Sequence, residues 1–210
     1  MIVLPVSLGE AIDKLTILDI KQNKIHDHRK QDVITEFTLL SEKLKDFLNY
    51  PKLYNSMKKV NLLIWDMMDE LRDTNIDKER YFYLCKETIE LNDVRFRVKN
   101  KINYISDSLL KEQKSYKIKQ LCVEIQECKL QNYTELFIEP IMYCSFYYDE
   151  IIIICEDHHL MKTFSYDPCI RFCKDCPDTN CKKLTFKNDL SYDEILTLFE
   201  LTSEKIKTIC

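Results

Sequence analysis

Glycine is almost absent from this sequence, since Gly9 is the only glycine among 210 residues. Loops that need a positive φ angle must therefore use Asn or Asp instead. A glycine-rich phosphate-binding loop of the GxGxxG or Walker A type is excluded. If the chain binds a nucleotide, it does so without such a loop.

Long apolar runs and an excess of basic residues are also missing. The longest apolar run, Ile151 to Cys155, is far shorter than the roughly 20 residues that span a bilayer. The first ten residues, MIVLPVSLGE, lack the basic segment of a signal peptide. The net charge of −4 argues against general nucleic-acid binding. We therefore expect no membrane span, no nucleic-acid partner, and a location in the cytoplasm, or in the virion if the source is a virus.

Helical periodicity dominates the first half of the chain. SLGE at residues 7–10 has the pattern of a capping box and opens a helix that ends near residue 25. Further helices are predicted over about 33–48, 53–72 and 77–105. Short polar links such as DTNID favour antiparallel neighbours. Residues 1–112 are thus predicted to form an antiparallel helical hairpin or bundle.

The pattern changes after about residue 115. Strand-like segments, among them EIIIIC and KKLTF, alternate with helical ones, and SYDE at residues 191–194 is a second capping-box pattern. This order predicts a small α/β domain at residues 113–210, with a largely parallel sheet and a Cys-rich loop at 169–181. The predicted fold class is therefore α+β.

The fourth predicted helix carries a polar strip between two apolar stripes. The strip contains Thr88, Asn92, Arg95 and Lys99, and one of the stripes contains Phe82, Cys85, Ile89 and Phe96. On the first helix, Asp19 lies within the apolar face. We expect a partly buried ion pair between these two helices. It would either fix the register of the helices or belong to a site where Arg95 and Lys99 hold an anionic ligand.

Four cysteines fall within thirteen residues, at Cys169, Cys173, Cys176 and Cys181. Thiolates are preferred zinc ligands, and Cys173 and Cys176 have the two-residue spacing of one half of a tetrahedral site. The spacing predicts a structural zinc ion. Free thiols, disulfides and an iron–sulfur cluster remain alternatives.

Two weaker patterns follow the EIIIIC segment. Glu156 and Asp157, at the end of a predicted strand, have the position from which an acid can bind a ribose hydroxyl. Cys155 with His158 or His159 would be the components of a Cys–His pair for nucleophilic catalysis.

Several segments together resemble a family of small helical proteins of unknown function. These segments are VSLGEAIDKLTILDIK, WDMMDELR, LNDVRFRVKNKIN and EQKSY, within residues 3–116. The matching residues are Gly9, Glu10, Asp13, Lys14, Thr16, Ile17, Lys21, Trp65, Arg72, Asn92, Asp93, Arg95 and Asn103. The family occurs in bacteria and large DNA viruses, often beside or fused to glycosyltransferases. The resemblance implies a connection with glycan biosynthesis but no particular reaction.

These observations lead to three functional hypotheses. The first is a non-catalytic interaction or scaffold module associated with glycan biosynthesis, with a protein partner or a second copy of the chain. The second is a minimal glycosyltransferase-type enzyme that binds a sugar nucleotide in the C-terminal domain. The third is a structural protein of a large virus particle.

Overall fold

The computed structural model describes residues 4–47, 51–115, 118–126, 133–175, 181–186 and 190–202. Within these ranges it contains seven α-helices and four β-strands, which confirms the predicted α+β class. The chain divides into two compact units, Met1–Gln113 and Lys114–Cys210. No helix in the described ranges is both long enough and apolar enough to cross a membrane.

The first unit is built from four helices. They are α1 (Leu8–Lys24), α2 (Lys30–Leu44, continued by a 3₁₀ turn at Lys45–Phe47), α3 (Pro51–Glu70) and α4 (Lys78–Ile105). Helix α1 contacts the other three, and α3 also contacts α4. Their shared core consists of aliphatic side chains that are at most 3% exposed, including Ile12, Leu15, Leu18, Met57, Val60, Leu84, Val94 and Val98.

The predicted helix starts have a clear local cause. The Ser7 hydroxyl accepts a hydrogen bond from the Glu10 amide at 3.1 Å, and Asp77 caps α4 in the same way through the Arg80 amide. Each cap satisfies a backbone donor that the first helical turn leaves unpaired. The Glu10 carboxylate does not return to its own cap but binds Lys99, so only half of the predicted capping box at residues 7–10 is present.

The second unit contains a parallel sheet. Its strands are β1 (Gln120–Ile125), β2 (Glu150–Ile154), β3 (Ile170–Phe172) and β4 (Lys182–Phe186), arranged in the order β3-β2-β1-β4. All three strand pairs are parallel, and Val123 of β1 is aligned with Ile153 of β2 and Leu184 of β4. A short strand thus occupies the start of the predicted Cys-rich loop, where we expected irregular structure.

Helices and a 3₁₀ turn connect and cover these strands. They are the turn Tyr133–Phe137 and the helices α5 (Ile138–Tyr147), α6 (His158–Thr163) and α7 (Tyr192–Leu198). The predicted capping box at Ser191 and Glu194 is fully formed at the start of α7. The core of the unit centres on Phe137 and Phe186, which are fully buried and contact edge to face at 4.9 Å between ring centroids.

Candidate functional site

A buried carboxylate lies at the centre of the helical unit. Asp13 of α1 is 1% exposed. The Arg95 guanidinium of α4 donates to both of its oxygens, with Nε at 2.8 Å from Oδ1. Asn61 of α3 donates through Nδ2 to Asp13 at 2.8 Å and to the Thr16 hydroxyl at 2.9 Å. These four side chains, here called the Asp13 network, join three helices through a bidentate ion pair and neutral hydrogen bonds.

Helices α1 and α4 approach each other closely at Gly9, about one helical turn before Asp13. The Gly9 amide donates to Asn103 Oδ1 at 2.7 Å. A Cβ atom at Gly9 would lie 2.5 Å from the Lys99 carbonyl oxygen and 2.9 Å from Asn103 Oδ1. The only glycine of the sequence therefore occupies a position where the neighbouring backbone leaves no room for a side chain.

Lys99 extends the charged cluster towards the surface. Its side chain is 11% exposed, and its ammonium binds Glu10 at 3.0 Å and Glu112 at 2.5 Å. Burial disfavours the charged form, but the hydrogen bonds to Glu112 and Glu10 outweigh it and raise the pKa of Lys99. Likewise, the hydrogen bond to Asp13 is the main reason why the pKa of Arg95 is raised. Both cations stay charged at neutral pH.

The balance of positive and negative charges bears on the two interpretations of the polar strip. Arg95 and Lys99 bring two positive charges, whereas Asp13, Glu10 and Glu112 bring three negative ones. An anionic ligand would have to displace these carboxylates and would be repelled by them. The arrangement favours the structural interpretation, in which the ion pairs fix the register of α1 on α4.

Only two of the four residues of the predicted polar strip lie together in the structure. Arg95 and Lys99 belong to the charged cluster, but Thr88 contacts Met67 Sδ at 3.9 Å, and Asn92 is exposed and donates to the Thr88 carbonyl oxygen. Thr88 and Asn92 thus lie outside the Asp13 network.

The predicted pairing of Asp19 with the fourth helix is wrong. Asp19 binds Lys58 at 2.7 Å and accepts a hydrogen bond from the Tyr54 hydroxyl at 3.0 Å, and both partners are on α3. Asp13 takes the expected place opposite Arg95. Sequence periodicity alone missed Asp13 and Asn61, although Asp13 is among the residues that carry the family resemblance.

Three of the four predicted zinc ligands lie beside strands of the second unit. Cys169 and Cys173 flank β3, and Cys181 directly precedes β4, whereas Cys176 lies outside the described residues. Among the residues that the structure does describe, no three His, Cys, Asp or Glu side chains form a group able to hold a metal. The zinc site therefore stays a prediction.

An open crevice lies at the carboxyl ends of β1, β2 and β3. It has a volume of about 580 Å³ and is lined by Glu124, Ile125, Gln126, Ile154, Cys155, Glu156, His158, Met161, Phe172, Cys173 and Lys174. Ligands of open parallel sheets commonly bind at this edge. The lining combines apolar side chains with an exposed glutamate, Glu156, two residues after the end of β2.

Two other candidate residues of this edge, Asp157 and Cys155, have local environments that disfavour a chemical role. The Asp157 carboxylate accepts hydrogen bonds from the Leu160 amide at 2.8 Å and the Thr134 hydroxyl at 3.0 Å, so it caps α6. Burial raises the pKa of the Cys155 thiol, which keeps it protonated at neutral pH and makes it a poor nucleophile. Of the acidic pair, Glu156 alone keeps the role of a candidate ribose ligand.

Comparison of the whole chain with protein-family models, curated proteins and solved structures found no match. The resemblance of residues 3–116 to a family associated with glycosyltransferases therefore stays a prediction.

Proposed function

We propose that this protein is a non-catalytic interaction module, in which an antiparallel helical unit is a rigid scaffold for a binding partner. The observation that carries the proposal is the Asp13 network. Its carboxylate is 1% exposed and is bound by both Arg95 and Asn61. Buried charged groups whose hydrogen bonds all go to side chains of neighbouring helices fix the positions of those helices.

The neighbouring charges support the same conclusion. Lys99 is enclosed by Glu10 and Glu112, so the second cation of the strip is also bound within the chain. A ligand-binding or catalytic cluster would keep part of its charge directed at a substrate. The resemblance of residues 3–116 suggests that the partner of the module belongs to glycan biosynthesis.

A second candidate function rests on the crevice of the C-terminal unit. Its position at the carboxyl edge of a parallel sheet, with Glu156 two residues after the end of β2, is favourable for a nucleoside or sugar nucleotide. Phosphate binding would have to come from side chains such as Lys174 and His158, because the chain lacks a glycine-rich loop. A minimal glycosyltransferase-type enzyme would use this crevice.

One experiment separates the two functions. The full chain is incubated with uridine- and guanosine-diphosphate sugars, and both the thermal shift and the release of nucleoside diphosphate are measured. The interaction module predicts neither a shift nor turnover. Turnover that is lost in Glu156→Gln but kept in Glu79→Gln, an exposed control on α4, would overturn it in favour of the enzyme.

Hydrogen exchange tests the scaffold directly. If the Asp13 network fixes the helices, the amides of α1 and α4 near Gly9 and Arg95 exchange only through global opening of the helical unit. Fast local exchange of these amides would contradict a rigid scaffold.

A further inference from the structure

A stripe of exposed side chains, with Cys85 and Asp93 half-buried, runs along the first part of α4. Lys78, Phe82, Cys85, Ile89 and Asp93 are separated by four, three, four and four residues and therefore share one face of the helix. Phe82 is 61% exposed and Ile89 66%. The opposite face of the same segment is buried in the core of the unit through Leu84, Leu91 and Val94. We call these five residues the α4 stripe.

The exposure of the α4 stripe is unusual for an amphipathic helix. A helix with one buried face normally presents polar side chains to solvent, and here two large apolar side chains take that place. Tyr81 and Tyr83 beside them are 43% and 51% exposed, and Tyr81 contacts the Phe82 ring edge-on at 6.2 Å between centroids. Clustered exposed aromatic residues are typical of protein interfaces.

The charges of the stripe indicate which partner fits it. Lys78 lies at one end and Asp93 at the other, and the two are placed symmetrically about the point between residues 85 and 86. Phe82 and Ile89 are symmetric about the same point. A second copy of the stripe in the opposite direction would place Lys78 against an aspartate and Phe82 against an isoleucine. A parallel copy would instead oppose lysine to lysine and aspartate to aspartate, which is repulsive.

We propose that the α4 stripe is the interface of a homodimer, in which two copies of α4 pair in antiparallel orientation about a two-fold axis next to Cys85. Such an interface is self-complementary, as closed dimers require. The paired segment, residues 78–93, would be about 24 Å long at 1.5 Å per residue. Lys86, next to the axis, lies at the edge of the stripe, and its flexible stem can carry the ammonium into solvent. The proposal rests on the proposed interaction role and names the partner as a second copy of this chain.

Sedimentation equilibrium of the 210-residue chain over a range of concentrations tests the dimer. We expect a reversible dimer that Phe82→Glu and Ile89→Glu each weaken about 30-fold, as for a residue at the centre of an interface. Leu39→Glu is the matched control, since Leu39 on α2 is 57% exposed and lies outside the stripe. Circular dichroism verifies that each variant keeps its helices.

Two further variants test the geometry. Lys78→Glu should weaken the dimer, because antiparallel pairing then brings two acidic residues together, whereas parallel pairing would be unaffected. A short bismaleimide should give a cross-linked peptide that joins Cys85 of one copy to Cys85 of the other, and Cys85→Ser should remove this peptide but not cross-links through the other partly exposed cysteines. Mass spectrometry of a digest that finds this peptide, together with the predicted weakening, supports the proposal.

Other results would overturn it. A chain that stays monomeric at every concentration, or a dimer that Phe82→Glu weakens no more than Leu39→Glu, excludes the α4 stripe as the interface. A dimer whose dissociation constant is unchanged by Lys78→Glu excludes the antiparallel orientation. These outcomes are independent of the sugar-nucleotide assay, because turnover would refute the interaction module without affecting the oligomeric state.

Discussion

Removing the guanidinium of the Asp13 network should destabilise the helical unit strongly. In Arg95→Met, the Asp13 carboxylate loses both hydrogen bonds from Arg95 and keeps only the Asn61 amide as a side-chain donor. The Asp13 side chain is 1% exposed, so it has little access to water that could replace the lost donors. The charge would remain buried and largely uncompensated.

The expected cost follows from this burial. Breaking a buried ion pair by removing one partner typically costs about 3–5 kcal/mol. Arg72→Met is the matched control, because Arg72 pairs with Asp69 on the surface, where the two side chains are 68% and 56% exposed. An exposed pair contributes about 0–1 kcal/mol. The two substitutions remove the same chemical group, but Arg95→Met should lower the free energy of unfolding several times more than Arg72→Met.

Urea unfolding at pH 7 measures this difference. Trp65 is the only tryptophan of the chain and lies in α3, so its fluorescence reports the unfolding of the helical unit. The shift of the midpoint at constant slope gives the change in the free energy of unfolding. If Arg95→Met lowers the free energy of unfolding no more than Arg72→Met does, the buried Asp13 carboxylate does not need the ion pair with Arg95. The structural interpretation of the network would then fail.

Three other substitutions have defined outcomes. Gly9→Ala should lower the melting temperature, because overpacking against a fixed backbone costs about 1–3 kcal/mol, more than the gain in helix propensity of up to about 1 kcal/mol. Asp157→Ala should cost about 1 kcal/mol at pH 7 through the loss of a helix cap. Burial raises the pKa of Asp157, but hydrogen bonds from the Leu160 amide and the Thr134 hydroxyl lower it overall. The stabilisation is therefore present above the ordinary aspartate pKa and disappears as the pH falls through the lowered value, so unfolding curves of Asp157→Ala and the parent chain should converge in acid. Elemental mass spectrometry of protein purified with reductant should find about one zinc per chain, lost in Cys173→Ser, and a metal-free parent chain would refute the zinc prediction.

Local signals were sufficient for much of the fold. Helix periodicity located the start of α4, and the capping residues Ser7 and Ser191 predicted where α1 and α7 begin, because a cap acts within one turn of its own helix. The parallel strands followed from short β-branched runs between helices. Strand β3, with only three residues, is too short to produce a periodic pattern, and it was predicted as loop.

The candidate sites depend on contacts between distant segments. Asp13 and Asp19 are both acidic residues within α1, and the periodicity of one helix does not tell which of them faces α4, because α1 contacts three helices. That choice is made by the relative position of the helices, which puts Asp13 at Arg95 and Asp19 at Lys58. The crevice depends on strand order, since it forms where the ends of β1, β2 and β3 meet.

The combination of Asp13→Asn with Arg95→Met separates a buried charge from a lost contact. If the instability of Arg95→Met comes from the isolated carboxylate, removing that charge should recover part of the free energy of unfolding, because a neutral buried pair carries no ionic desolvation penalty. The double variant should then be more stable than Arg95→Met alone, which corresponds to a strong positive coupling in the double-mutant cycle. A double variant as unstable as the sum of the single ones would mean that Asp13 and Arg95 act independently. In that case their ion pair would not set the register of the helices, and the charged cluster would need a different explanation.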